Sequence, residues 1–162
     1  MDHLWSPWRY RYVSEVAGSG DCVFCRVGGA EASHDRENKV LYRGRKNLVL
    51  LNIYPYTNGH TMIAPYTHAA DFAALQQETL VEMMELAQKV QSALEAGYHP
   101  EGYNLGMNLG KCAGAGVADH LHLHVLPRWT GDVSFITVVG ETRVLPEDLE
   151  TTYEKLVGFF RK

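Results

Sequence analysis

Nowhere in these 162 residues does an apolar run approach the roughly 18–20 positions that a membrane helix needs, so a membrane partner is not expected. Cysteine is scarce and odd in number: Cys22, Cys25 and Cys112. Three thiols do not make a disulfide framework, which leaves metal ligation or free thiols as the expected uses. Cationic charge is short as well. Lys and Arg total 15 against 19 Asp and Glu, giving a net charge of −4 and a pI near 6.0. A general nucleic-acid binder is thereby excluded, although a local basic pocket for phosphates is not. The opening Met1-Asp2-His3-Leu4-Trp5 lacks a basic segment followed by an apolar one, so no secretory signal is expected and a cytoplasmic location is. Internal repeats, low-complexity segments and linkers are absent too. With 46% hydrophobic and 21% charged residues, wholesale disorder is ruled out, and the length suits a single domain with its own core.

What the chain does contain is histidine, eight in all and unevenly spread. Residues 1–35 read as an irregular N-terminal segment. It opens with Trp5-Ser6-Pro7-Trp8-Arg9-Tyr10-Arg11-Tyr12, aromatics expected to serve packing or a dimer contact, and ends near Cys22-x-x-Cys25. Strand-like runs rich in Val, Leu, Ile or Tyr follow at 39–43, 47–53 and 60–64. The long helical pattern covers 71–96, with Leu80, Met83, Met84, Ala87, Val90 and Leu94 at helical spacing. Gly97 and Pro100 are its expected stop. Further strands are expected at 103–109 and 121–126, and a shorter helix at 147–160 opened by Pro146. Residues 36–130 form the expected core, and 131–162 a C-terminal extension. The order of strands, helix, strands, helix with short gaps predicts an α+β fold with a mainly antiparallel sheet.

The densest chemistry lies in His120-Leu121-His122-Leu123-His124-Val125-Leu126-Pro127. A strand repeats its side-chain direction every two residues, so the three imidazoles share one face while Leu121, Leu123 and Val125 enter the core. A lone strand histidine is usually a hydrogen-bonded core residue. Three in strict alternation point to chemistry, either at phosphate or as a metal face. The preceding Gly110-Lys111-Cys112-Ala113-Gly114-Ala115-Gly116 can turn backbone N–H groups toward an anion, which suggests a phosphate over the imidazoles. Lys111 either adds charge there or is solvated. Cys22-x-x-Cys25 has zinc-knuckle spacing, but a single CxxC also fits a redox pair.

The segment from Gly114 to Trp129 resembles the histidine triad (HIT) superfamily of nucleotide hydrolases and transferases. Upstream, Asn52-Ile53 followed by Asn58-Gly59-His60-Thr61-Met62-Ile63-Ala64-Pro65 and His68 is similar to that family's nucleoside-binding strand pair. In all the likeness covers about residues 22–129. Leu4-Trp5-Ser6-Pro7-Trp8-Arg9 and Pro127-Arg128-Trp129-Thr130-Gly131-Asp132 look like a bacterial branch described as diadenosine-tetraphosphate phosphorylase-like.

The resemblance implies a five-stranded antiparallel sheet with one long and one short helix, assembled as a homodimer. It implies His122 as nucleophile toward an adenine nucleotide or dinucleoside polyphosphate, through a covalent nucleotidyl-histidine. His124 and His60 would line the same pocket. Asn52 would bond the ribose, Ile53 would pack against the base, and Asn108, Gly114, Ala115, Gly116 and Val117 would surround the phosphates. It further implies a structural zinc held by Cys22, Cys25, His68 and His120. Cys112 has no partner in that scheme and reads as a free loop thiol. Many family members carry Gln, Ser or Thr where this chain has Gly116-Val117-Ala118-Asp119. Val117 donates no hydrogen bond, which leaves room for a second substrate such as inorganic phosphate. Asp119 alternates away from the histidine face. The competing readings are a phosphoramidate hydrolase of the AMP-lysine type, a nucleotide-binding regulatory module with vestigial catalysis, and a catalytic metal on His120, His122 and His124.

Overall fold

Asn47-Leu48-Val49-Leu50-Leu51 carries apolar side chains on both of its faces, and such a strand has to be covered on both sides. In the computed structural model, which describes residues 22–133, 137, 139 and 145–161, this segment is strand β2 (Asn47–Leu51), buried at every position. It lies between β1 (Val40–Arg43) and β3 (Thr61–Pro65). Strands β4 (Gly102–Gly106) and β5 (Leu123–Arg128) complete a five-stranded sheet in the order β1-β2-β3-β5-β4, every neighbouring pair antiparallel. The expected α+β architecture is present. Strand β5 inserts between β3 and β4, so that His124 pairs with Met62 on one side and Gly106 on the other.

Each face of the sheet has its own core. On one face, helix α2 (Gln77–Tyr98) lays Met83, Leu86, Ala87, Val90, Ala93 and Leu94 over Val49, Leu51, Ile63, Leu123 and Val125. Helix α3 (Leu149–Phe160) adds Tyr153, Leu156 and Val157 to the same cluster. On the other face, Phe24 and Val27 of the short helix α1 (Val23–Gly29) cover Leu48, Leu50, Met62 and Ala64. Alternation into β5 therefore works as anticipated: Leu121, Leu123 and Val125 enter the larger core, while His120 and His122 meet Phe24 of the smaller one. No described helix is long and apolar enough to cross a membrane.

Several boundaries differ from the sequence reading. Residues 22–35 are not irregular: they form α1 and a 3₁₀ turn at Ala32–His34. Helix α2 starts at Gln77, because Asp71 caps a separate 3₁₀ turn at Phe72–Ala74 by accepting from the Ala74 N–H at 3.1 Å. It ends at His99 in the left-handed region (φ 46°) just before Pro100, with Gly97 still inside the helix. Helix α3 is opened by Asp148, whose carboxylate accepts from the Thr151 N–H at 2.7 Å. Strand β4 stops at Gly106 and β5 begins only at Leu123. The aromatic cluster at 5–12, with Arg9 and Arg11, lies outside the described residues, as does most of 134–144.

One buried charge ties α2 to the turn between β1 and β2. Glu82, 5% exposed, accepts from the Arg45 N–H at 2.8 Å, the Lys46 N–H at 2.7 Å and Asn47 Nδ2 at 2.9 Å. Burial pushes its carboxyl up, but the bonds from Asn47, Lys46 and Arg45 outweigh burial and hold it below its ordinary value of 4.5. A carboxyl depressed in the folded state stabilises the fold above its unfolded pKa and loses that contribution as pH falls through the folded value. Glu82→Gln is therefore expected to cost about 2 kcal/mol at neutral pH, since it leaves a buried donor short of an acceptor. Its urea midpoint should also fall less steeply below pH 4.5 than that of the unmodified chain. Coincident acid limbs for the two proteins would refute this role.

Candidate active site and metal centre

His122 is the centre of the histidine face. It is 6% exposed, and its Nδ1 lies 2.9 Å from the carbonyl oxygen of His120. A carbonyl only accepts, so the proton sits on Nδ1 and Nε2 keeps its lone pair. Burial lowers the pKa of this ring, against the smaller opposing pull of the His120 carbonyl. His122 is thus neutral near pH 7, with a basic nitrogen available.

A second chain of hydrogen bonds fixes the neighbouring rings. The Tyr56 N–H donates to His60 Nδ1 at 3.1 Å, which places the His60 proton on Nε2. That nitrogen lies 2.9 Å from His124 Nδ1 and donates to it, leaving the His124 proton on Nε2. His60 is 1% and His124 8% exposed. The rings of His122 and His124 meet edge-on with centroids 4.8 Å apart, and the Tyr56 ring lies 4.8 Å from that of His60. Gly59 lets the chain reach this position. It has a φ of 74°, and an added Cβ would come within 2.7 Å of Leu94 Cδ2.

His120 belongs to a different group. Its Nε2–H donates to the Pro65 carbonyl at 2.8 Å, so Nδ1 carries the lone pair. That Nδ1 is 3.2 Å from Cys22 Sγ, 3.6 Å from Cys25 Sγ and 3.2 Å from His68 Nδ1, and Cys25 Sγ is 3.3 Å from His68 Nδ1. All four donor atoms lie within 4.8 Å of one another. Two sulfurs and two nitrogens this close fit the corners of a tetrahedron around one ion, whose ligand bonds run at about 2.0–2.3 Å. The residues could therefore hold a metal, and four protein ligands would close its coordination. The Leu121 N–H donates to the Ala69 carbonyl at 2.7 Å, pinning the chain between the metal ligand and His122.

These two centres are joined by the short segment from His120 to His122 that leads into β5. The HIT domain family model matches residues 33–131. The chain belongs to the HIT domain family. A curated relative from Mycobacterium tuberculosis named AP-4-A phosphorylase is 35% identical over 157 residues, covering 94% of this chain and 80% of the relative. A Zn-bound histidine triad family protein from Mycobacterium smegmatis superposes with a TM-score of 0.69 at 34% identity, covering 89% of this chain and 96% of that one. A hypothetical histidine triad nucleotide-binding protein from Sulfolobus tokodaii gives a TM-score of 0.67 at 26% identity, covering 86% and 92%.

Within this HIT chain the other candidate residues fall unevenly. Asn52 is 7% exposed, follows β2 directly, and uses its carboxamide oxygen to accept from the Tyr54 N–H at 2.9 Å. Its Nδ2 lies 3.4 Å from His60 Nδ1. Ile53 beside it is 54% exposed. Asn108 is half-buried in the loop after β4. Gly110 (φ 80°) and Gly114 (φ 87°) bracket a 3₁₀ turn at Lys111–Ala113. Gly114 and Ala115 donate their N–H groups back into that turn, to Lys111 and Gly110. Gly116 and Val117 follow it, with Val117 leaning on the small core around Phe24. Asp119 and Cys112 are exposed.

Sequence reasoning missed two contributors. Tyr56 sets the tautomer of His60 through its main chain, which no side-chain pattern reveals. Phe24 touches both His120 and His122. Its signal was its position inside the CxxC pair.

Proposed function

We propose that this HIT chain cleaves a phosphoanhydride of an adenine dinucleotide such as diadenosine tetraphosphate through a nucleotidyl-His122 intermediate. The observation that carries the reading is the 2.9 Å bond from His122 Nδ1 to the His120 carbonyl, which leaves Nε2 as the nucleophilic nitrogen. Nε2 attacks the α-phosphorus and forms a P–N bond. The P–O bond to the outgoing polyphosphate breaks, and its electron pair leaves on that oxygen. A second acceptor, phosphate or water, then displaces Nε2 from phosphorus. His124 donates a hydrogen bond from Nε2–H to the phosphoryl group, with His60 behind it. Backbone N–H groups at Gly116 and Val117 meet the charge that develops on the oxygens. Ile53 supports the base, and Asn52 and Asn108 bond the sugar and phosphates.

Cys22, Cys25, His68 and His120 hold a structural zinc in this reading, which the Zn-bound relative supports. The ion would tie α1 to the segment that runs through His122 into β5. The relative named AP-4-A phosphorylase supports the choice of substrate. Val117 agrees with it, because a polyphosphate leaves without a proton from that position, whereas the amine of a phosphoramidate needs one. A catalytic metal on His120, His122 and His124 is disfavoured, since the His120 lone pair is turned toward Cys22, Cys25 and His68 and that of His124 accepts from His60. We further propose a cytoplasmic homodimer that extends the sheet through edge strand β4, where Leu105 is 46% exposed.

The deciding assay supplies diadenosine tetraphosphate with and without inorganic phosphate. Attack at the α-phosphorus yields ATP in either case. ADP as the second product, formed only with phosphate, identifies phosphorolysis; AMP identifies hydrolysis. Stable nucleotide binding without any product would instead favour a binding module and overturn the enzymatic reading.

A further inference from the structure

Phe24 lies between the two cysteines of α1, two residues after Cys22 and one before Cys25. It is 2% exposed. Its ring centroid is 5.2 Å from that of His120 and 4.7 Å from that of His122, tilted by 48° and 38°. Among the described residues, Phe24 and His124 are the aromatic rings in contact with His122. The hydrogen bond to the His120 carbonyl fixes the His122 tautomer, but one bond at Nδ1 still lets the ring swing about it. Contact with the Phe24 and His124 rings restricts that swing.

We propose that Phe24 is a positioning residue that couples the Cys22–Cys25–His68–His120 site to the orientation of the His122 ring. The inference rests on the reading of His122 as nucleophile. Two metal ligands flank Phe24 in the chain, so any shift of the ligand-bearing backbone moves its ring. Leu48, Met62 and Ala64 of the sheet belong to the same cluster as Phe24. Val117, at the end of the Gly-rich loop, packs against the same cluster. Phe24 itself offers nothing polar to a nucleotide. Its loss should leave ground-state binding intact and misalign the attack, an effect confined to kcat.

The test compares Phe24→Leu, which keeps apolar bulk but removes the flat ring, with Val27→Ala, which loosens the same helix without touching His122. Phe24→Leu is expected to retain its metal and a KM within about twofold, while kcat falls by about 10- to 100-fold. The ¹⁵N and ¹H signals of the His122 ring should shift in Phe24→Leu and remain in place in Val27→Ala. If Phe24→Leu does not fold, the same His122 signals are followed in the unmodified chain as the metal is removed by a chelator, and they should move there too. Unmoved His122 signals in Phe24→Leu or on metal removal would overturn the coupling. So would a Val27→Ala variant that loses kcat equally. Failure of the nucleophile reading is distinguishable: turnover would survive in His122→Ala, whereas the ring signals would still report on the coupling.

Discussion

His122→Ala should lower turnover of diadenosine tetraphosphate by at least about 10⁴-fold, while the affinity for the nucleotide changes by no more than about threefold. The size follows from what the side chain supplies. In the proposed reaction, the enzyme exchanges one displacement by a poor external acceptor for two displacements through Nε2, and alanine removes both. Neither His124 nor His60 can substitute. The His124 lone pair, on Nδ1, is already engaged by His60 at 2.9 Å, and that of His60 is engaged by the Tyr56 N–H at 3.1 Å. Of the three pocket rings, only His122 has its proton drawn to a carbonyl with the basic nitrogen left over. Binding should survive because Ile53 and the Gly-rich loop stand on other segments. A denaturing quench with labelled dinucleotide should trap adenylylated protein from the unmodified chain and none from the variant. Residual turnover within tenfold of normal would remove His122 from the reaction.

Cys22→Ser should abolish metal binding and lower the melting temperature by about 10 °C, equivalent to about 3–5 kcal/mol for a chain of this size. The four ligands join segments far apart in sequence: Cys22 and His120 are separated by 98 residues, His68 and His120 by 52, and Cys25 and His68 by 43. Closing loops of that length is where a cross-link gains most against the unfolded chain. The effect is smaller than the full binding energy of a zinc finger, because the sheet has its own buried core and does not wait for the ion to fold. Metal analysis and thermal denaturation with and without chelator measure both quantities. One ion per chain retained in Cys22→Ser, or an unchanged melting temperature, would refute the assignment.

How much of this was readable beforehand depends on the residue. The alternation of His120, His122 and His124 with Leu121, Leu123 and Val125 predicts which side chains face which core, because strand geometry admits one answer. The order of elements follows from apolar periodicity and is equally legible. Helix α1 is not. Its seven residues end in Gly28-Gly29 and lack a side-chain cap, so local propensity gives no sign of it. Burial of Phe24 and Val27 against the far face of the sheet holds it instead, a tertiary effect. The start of α2 misleads for the opposite reason: Phe72, Ala73, Ala74 and Leu75 suit a helix, but the Asp71 cap closes them into a separate turn. The cysteine pair was visible in sequence, while its histidine partners came from family likeness. The orientation of the Asn52 carboxamide, set by the Tyr54 N–H, follows from backbone placement and has no sequence signature.

The imidazoles take their tautomers from main-chain partners. The carbonyls of His120 and Pro65 and the amide of Tyr56 dictate where the protons reside, and amino-acid replacement does not delete a peptide oxygen or, short of proline, a peptide nitrogen. Side chains around the imidazoles can thereby be replaced without moving those protons, so the tautomers are a property of the backbone trace.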